Sequence, residues 1–169
     1  MLVAACSGTA SPQAEREEPR SAPQAAPAAD APFDNATLAG RELRLVAQGS
    51  GCALRTGSAS HPLGLPAPCR FMRRAPSDPP ATHDYGDRGS VLMIAGSPSP
   101  ASAYPADATK TPRDRCADSG RAVYARAGRL ELGEVLRGPR RFCADLAPDE
   151  KFYHGVAHQA RYAARTAVE

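Results

Sequence analysis

Two histidines near the carboxyl end have the spacing of a metal-binding helix. In the run HGVAH, His154 and His158 stand four residues apart, which places both imidazoles on one helical face. Gly155 stands where a zinc hydrolase would carry the glutamate that serves as general base. Lys151 and Arg161 extend the same face with positive charge, and each nearby charge would repel a divalent ion by about 1 kcal/mol or more. The pattern therefore predicts a solvated basic face without a metal.

A metal or small-ligand site built on this histidine pair is the alternative, and it needs ligands from elsewhere in the chain. His83, in the long segment 73–90, is a candidate for completing the set, and so are His61 and an acid such as Asp84. Together with the pair they would form a mixed histidine and carboxylate set. This hypothesis requires segment 73–90 to fold against the helix.

The chain carries few other catalytic signatures. It has no Gly-x-Ser-x-Gly elbow, no glycine-rich phosphate loop and no paired carboxylates at a telling spacing. Asp145, Asp149 and Glu150 lie near His154 in the sequence, but acids at the start of a helix are ordinary capping residues. We therefore expect a non-catalytic protein without a cofactor, and an envelope hydrolase is the second alternative.

Four cysteines remain in the chain after Cys6: Cys52, Cys69, Cys116 and Cys143. An even number in a small domain predicts two disulfides and an oxidising compartment. No Cys-x-x-Cys pair is present to hold zinc or to form a redox motif. Three pairings are possible, and we favour Cys52–Cys69 with Cys116–Cys143 because each closes a short loop between neighbouring strands. Loops of this size contribute about 3 kcal/mol each in the chain-entropy model.

Composition favours strands and loops over a helical bundle. Although 42% of the 169 residues are hydrophobic, aromatic residues make up only 5% and tryptophan is absent, so large core-filling side chains are scarce. The chain also holds 17 prolines and 14 glycines, which interrupt regular elements. Such a domain needs the stabilisation that disulfides provide.

The net charge of +3 does not indicate nucleic-acid binding. All but two of the 21 basic residues are arginines. Two clusters, Arg70, Arg73 and Arg74, and Arg137, Arg140 and Arg141, contain between them a single aromatic residue, Phe71, and so lack the regular aromatic interleaving of single-strand binding platforms. No nucleic-acid-binding motif accompanies them. We therefore expect no nucleic-acid partner.

Short apolar runs separated by turn residues predict the strands. Residues 41–48, RELRLVAQ, alternate as a strand with one buried face does. Residues 90–96, SVLMIAG, are almost continuously apolar, which predicts a strand buried on both faces. Residues 121–136 alternate again and predict two strands joined by a turn near Gly128.

The remaining segments predict two long loops and one helix. Residues 73–90 and 96–114 are rich in turn residues and predict loops. Residues 148–150, Pro-Asp-Glu, predict a helix start, and an apolar stripe then runs through Phe152, Val156, Ala160, Ala163 and Ala167. The fold class predicted is α+β or mainly β, a small antiparallel sheet or sandwich with two disulfides and a C-terminal helix.

The amino-terminal residues 3–6, VAAC, resemble the lipobox of bacterial lipoproteins, an aliphatic residue and two small ones before a cysteine. The resemblance implies that Cys6 is diacylated and becomes the mature N-terminus, so that residues 1–6 are the end of a signal peptide. Such a signal has an apolar region of about 7–15 residues, so we expect the signal to be truncated here. Ser7 implies, by the same resemblance, sorting to the outer membrane.

Residues 7–32 predict a disordered tether between this anchor and a folded domain at 33–169. They contain five prolines and eight alanines, with no larger aliphatic residue, and cannot bury enough surface to fold. A flexible chain of this length spans about 25–30 Å.

Anchor, tether and cysteines together predict a location and a function. We expect a lipid-anchored lipoprotein on the periplasmic face of a bacterial envelope, held at the outer membrane. Its predicted role is a binding or accessory protein that engages another envelope protein, as an inhibitor, an immunity factor or an assembly factor.

Overall fold

The computed structural model describes residues 32–100, 116–159 and 166–168. The predicted lipidation site, Cys6, lies outside the described residues, and so does the tether up to residue 31. Part of the predicted loop 96–114 also lies outside them.

The first sheet is an antiparallel meander of four strands in the order β1-β2-β3-β4. Tight turns join its strands, and Ala39 and Gly40 between β1 and β2 have φ values of 48° and 77°. Consecutive positive φ values match the right-handed twist of a hairpin. The strands are β1 (Asp34–Leu38), β2 (Arg41–Gln48), β3 (Gly51–Thr56) and β4 (Ala59–Pro66).

The second sheet has six strands in the order β10-β9-β8-β7-β5, with β6 also paired to β7. The short strands β5 and β6 share one edge of β7, β5 opposite Ile94 and Ala95 and β6 opposite 90–92. The strands are β5 (Arg70–Phe71), β6 (Thr82–Asp84), β7 (Ser90–Ala95), β8 (Cys116–Arg126), β9 (Arg129–Cys143) and β10 (Thr166–Val168). The predicted loop 73–90 thus contains a strand, and Gly86–Arg88 adds one 3-10 turn.

The main core lies between the two sheets. Leu43 and Leu45 of β2, which alternate along that strand, are fully buried against Leu92 and Ile94 of β7 and their neighbours. Alternation places one face of each sheet in this core and leaves most of the first sheet's other face exposed.

A second core lies on the opposite face of the six-stranded sheet, under helix α1 (Glu150–Gln159). Tyr153, Val156 and Ala157 are buried against Val91 and Met93 of β7. Since its alternate residues enter both cores, β7 is buried on both faces, as its continuous apolar sequence predicts.

The helix begins as predicted but the chain does not stay helical to Ala167. Asp149 accepts a hydrogen bond from the Phe152 amide at 3.1 Å, which is an N-cap. Ala167 lies in β10, opposite Glu131 of β9, so placing it on the apolar stripe of the helix was wrong. At this position, pairing with β9 outweighs the preference of alanine for helices.

The predicted fold class is confirmed. The protein is mostly β with antiparallel sheets, one short C-terminal helix and the disulfides Cys52–Cys69 and Cys116–Cys143, the favoured pairing. Within the described part of the chain, no helix is long and apolar enough to cross a membrane.

Candidate binding site

A cavity of about 660 Å³ opens where β1 begins beside β5. We call it the ion-pair cavity. Its volume falls within the range of about 300–1,000 Å³ that small-molecule sites occupy. It is lined by apolar side chains of Phe33, Pro68, Pro76 and Pro98, by polar side chains of Asp34, Arg70, Arg73, Ser77, Asp78 and Asp145, and by Gly96 and Ala144.

A nearly buried ion pair between Asp34 and Arg73 forms one wall of the cavity. The Arg73 Nη2 atom lies 2.5 Å from Asp34 Oδ1, and Nη1 lies 2.7 Å from Oδ2, so the contact is bidentate. The two side chains are only 11% and 14% exposed. The hydrogen bond to Asp34 raises the pKa of Arg73 above its usual range. Charge-assisted, two-pronged contacts of this kind fix both partners in position.

Further hydrogen bonds of the pair tie together segments that are far apart in sequence. Asp34 Oδ2 also accepts from the Phe71 amide at 2.9 Å, on the outer edge of β5. Arg73 donates to the carbonyl oxygens of Phe71 and Asp78 at 3.2 and 3.0 Å. These bonds close the edge of the six-stranded sheet and hold segment 73–78 against β1, so the wall is preorganised.

Other polar side chains of the cavity are available to a ligand. Among the described residues, the side chains of Arg70, Ser77 and Asp78 have no hydrogen-bonding or ion-pair partner. Arg70 and Ser77 are exposed, and Asp78 is half-buried. A free cation and a free carboxylate therefore stand at one cavity whose wall is already neutralised, which suits recognition of a polar segment that carries both charges.

Both disulfides flank this cavity. Cys69 stands between Pro68 and Arg70, and its bond to Cys52 ties that corner to β3. Cys143 precedes Ala144, which lines the cavity, and its bond to Cys116 joins the ends of β8 and β9. Cross-links therefore fix the elements that position the cavity wall.

The structure brings segment 73–90 against α1, but it does not assemble a metal site there. The Nε2 atoms of His154 and His158 lie 3.1 Å apart, and Arg88 Nη1 lies 2.6 Å from His158 Nε2. Arginine only donates hydrogen bonds, so His158 Nε2 is the acceptor in that contact. A metal could bind His158 Nε2 only by displacing the guanidinium. No group of three or more His, Cys, Asp or Glu side chains within the described ranges is placed to share a metal ion.

His83 contributes to packing at the same place. Its ring stacks on Tyr153 of α1, with centroids 4.0 Å apart and an interplanar angle of 25°. Burial lowers the pKa of His83 below the usual 6.5. Tyr153 is itself fully buried, its hydroxyl has no partner among the described residues, and burial raises its pKa. His61 lies apart from this group, in β4 of the other sheet.

The ion-pair cavity was not found from the sequence. Asp34 and Arg73 are 39 positions apart, and nothing in their local sequence distinguishes them from other charged residues. The available signal was indirect. The four cysteines predict a rigid domain, and Arg73 lies in a long predicted loop, where binding residues are often found.

Comparisons of the chain with protein-family models, with curated proteins and with solved structures found no match. The function is therefore inferred from the geometry of the site.

Proposed function

We propose that this protein is a lipid-anchored binding module on the periplasmic face of a bacterial envelope, and that it engages another envelope protein at the ion-pair cavity. The observation that carries the proposal is the contrast inside that cavity. Asp34 and Arg73 are locked to each other, whereas Arg70 and Asp78 have no partner among the described residues. A fixed wall with free charges at its side offers specificity at low entropic cost.

The charges engaged in the ion pair favour binding over catalysis. A general acid or base must exchange a proton with its substrate, but each Asp34 oxygen already accepts hydrogen bonds from Arg73 or Phe71. The pair therefore shapes the cavity, and we assign no catalytic role to it. Pro68, Pro76 and Pro98 add walls with little conformational freedom to lose on binding.

The position of the cavity agrees with an anchored role. Phe33, where the predicted tether joins the folded domain, is one of the lining residues. If Cys6 carries the lipid, a tether spanning about 25–30 Å would hold the cavity within reach of proteins at the membrane surface. The two disulfides support an oxidising compartment such as the periplasm.

Site-specific photo-crosslinking in native membranes tests the partner. A photoreactive residue at Ser77 should crosslink one envelope protein, and the same residue at Gln48, exposed at the end of β2, should not. Arg70→Glu and Asp78→Lys should each abolish the Ser77 crosslink, whereas Arg126→Glu should leave it unchanged. Equal crosslinking from both positions, or crosslinking indifferent to Arg70 and Asp78, would refute the assignment of the cavity.

Intact mass spectrometry tests the anchor separately. Protein expressed from its full upstream reading frame should begin at Cys6, carry acyl chains and gain about four protons on reduction of two disulfides. An unacylated chain would contradict the anchor while leaving the cavity assignment to the crosslinking result.

A further inference from the structure

A second cavity, of about 360 Å³, lies between α1 and β9 on the far side of the six-stranded sheet. We call it the helix cavity. Its lining combines apolar side chains with two cations: Leu136, Phe142, Phe152 and Val156 are apolar, Arg137 and Lys151 are cationic, and Gly155 has no side chain.

The apolar floor is held rigidly. The rings of Phe142 from the sheet and Phe152 from the helix meet edge to face, with centroids 6.4 Å apart and an interplanar angle of 70°. Phe142 in turn lies over Gly120 of β8, where an added Cβ would come within 2.3 Å of its ring. The glycine therefore lets the ring sit close to the sheet, and the floor keeps its shape without a ligand.

Gly155 leaves space above that floor. A glycine inside a helix weakens it relative to alanine, and α1 spans only Glu150–Gln159. An added Cβ at Gly155 would meet no heavy atom within 4 Å, so packing does not require the glycine. Its φ is also not in the left-handed region that would require glycine. What the missing side chain does provide is an open helix cavity.

The charges at this cavity have one sign. Arg137 and Lys151 are exposed, and neither side chain has an ion pair or hydrogen bond with a described residue. No aspartate or glutamate is among the lining residues. Two cations beside an apolar floor complement a ligand that has an apolar body and an anionic end.

We propose that the helix cavity binds a single acyl chain with an anionic head group, such as a fatty carboxylate. The chain lies against Phe142 and Phe152, and the carboxylate is held between Arg137 and Lys151. The cavity has room for one narrow chain, in the lower part of the size range of ligand sites, rather than a broad flat face for a membrane. This site is independent of the function proposed for the ion-pair cavity.

Calorimetric titration of the full, oxidised chain with decanoate tests the proposal. We expect one binding site per chain, and decyltrimethylammonium, which has the same chain length and the opposite charge, should not bind. Binding of both compounds with similar affinity would overturn the role of the cations. No binding of decanoate at millimolar concentration would overturn the site itself.

Variants separate the two parts of the site. Arg137→Glu and Lys151→Glu should each weaken decanoate binding about tenfold through loss of a charge-assisted contact, while Arg126→Glu, on the distant hairpin, should not change it. Gly155→Leu should weaken binding at least tenfold by filling the cavity. Gly155→Ala should keep the fold at least as stable to urea, which shows that position 155 tolerates a side chain.

A vesicle arm distinguishes the free acyl chain from a membrane surface. The protein without its acyl chains is sedimented with phosphatidylglycerol vesicles. The fraction that sediments should be nearly the same for the original chain and for Gly155→Leu. If the protein binds these vesicles through Arg137 and Lys151 but does not bind decanoate, the cations dock a lipid surface and the single-chain site is refuted.

Discussion

Asp34→Ala is the perturbation that tests the ion-pair cavity most directly. It removes the acceptor of two Arg73 hydrogen bonds, at 2.5 and 2.7 Å, and of the Phe71 amide bond at 2.9 Å. Each buried donor left unsatisfied costs about 1–3 kcal/mol, and more for a charged group. Arg73 keeps its bonds to the carbonyl groups of Phe71 and Asp78, and water can reach a pair that is 11–14% exposed. We therefore expect Asp34→Ala to lower the free energy of unfolding by about 3 kcal/mol, which is at the low end for a buried ion pair that loses one partner.

Urea unfolding of the oxidised protein at pH 7 measures this loss. A decrease of about 3 kcal/mol corresponds to a fall in melting temperature of about 10 °C for a domain of this size. The control is Glu42→Ala, which breaks an exposed pair with Arg44 whose side chains are 54% and 61% exposed and should cost less than about 1 kcal/mol. Arg73→Ala and the double variant complete a cycle whose coupling energy isolates the pair.

This reasoning is refuted if Asp34→Ala lowers the free energy of unfolding by no more than Glu42→Ala does. In that case the Asp34–Arg73 contact would not hold the wall, and the cavity would not be preorganised. A large loss with no coupling to Arg73 would instead assign the stabilisation to the Phe71 amide bond alone.

Three further perturbations follow from the same structure. Replacing both Cys116 and Cys143 with alanine opens a loop with a sequence separation of 27, and urea unfolding should show a loss of about 3.5 kcal/mol; an unchanged midpoint would contradict the stabilising role of this bond. Gly120→Ala places a Cβ 2.3 Å from the Phe142 ring and should cost about 2–3 kcal/mol by overpacking, measured by thermal melting against Gly155→Ala, where the added Cβ meets no heavy atom within 4 Å. Because burial lowers the pKa of His83, the unfolded chain takes up that proton first, so stability is complete above about pH 6.5 and falls as the pH drops below it. In His83→Gln, the urea midpoint should change less between pH 5 and 8 than it does in the original protein. An unchanged dependence of the midpoint on pH would rule out His83 as the cause.

Local patterns predicted the parts of the fold that depend on neighbouring residues. The turn near Gly128 forms a hairpin in which Ala127 and Gly128 have φ values of 48° and 75°. The helix start depends on the adjacent Asp149, and the apolar run 90–96 contains the doubly buried β7. Each of these features depends only on hydrophobic periodicity, on turn residues or on helix capping. A short stretch of sequence contains all of that information.

Prediction was less complete where distant segments compete for the same partner. The turn-rich composition of 73–90 concealed β6, which forms because the edge of β7 beyond β5 is free to pair with it. Ala167 was placed on a helix because alanine suits one, and pairing with β9 placed it in a strand. Tertiary pairing thus overrode weak local preference.

By itself, the sequence determined a small, mainly β domain with two disulfides and a C-terminal helix, because alternation, turn residues and cysteine number are local or countable properties. Only the tertiary structure decided the sites. It paired Asp34 with Arg73 across 39 positions and placed Arg88 beside His158. It also left an open cavity beside Gly155. Such contacts depend on strand register and on how two cores share one sheet, and neither is encoded in the spacing of the residues that meet.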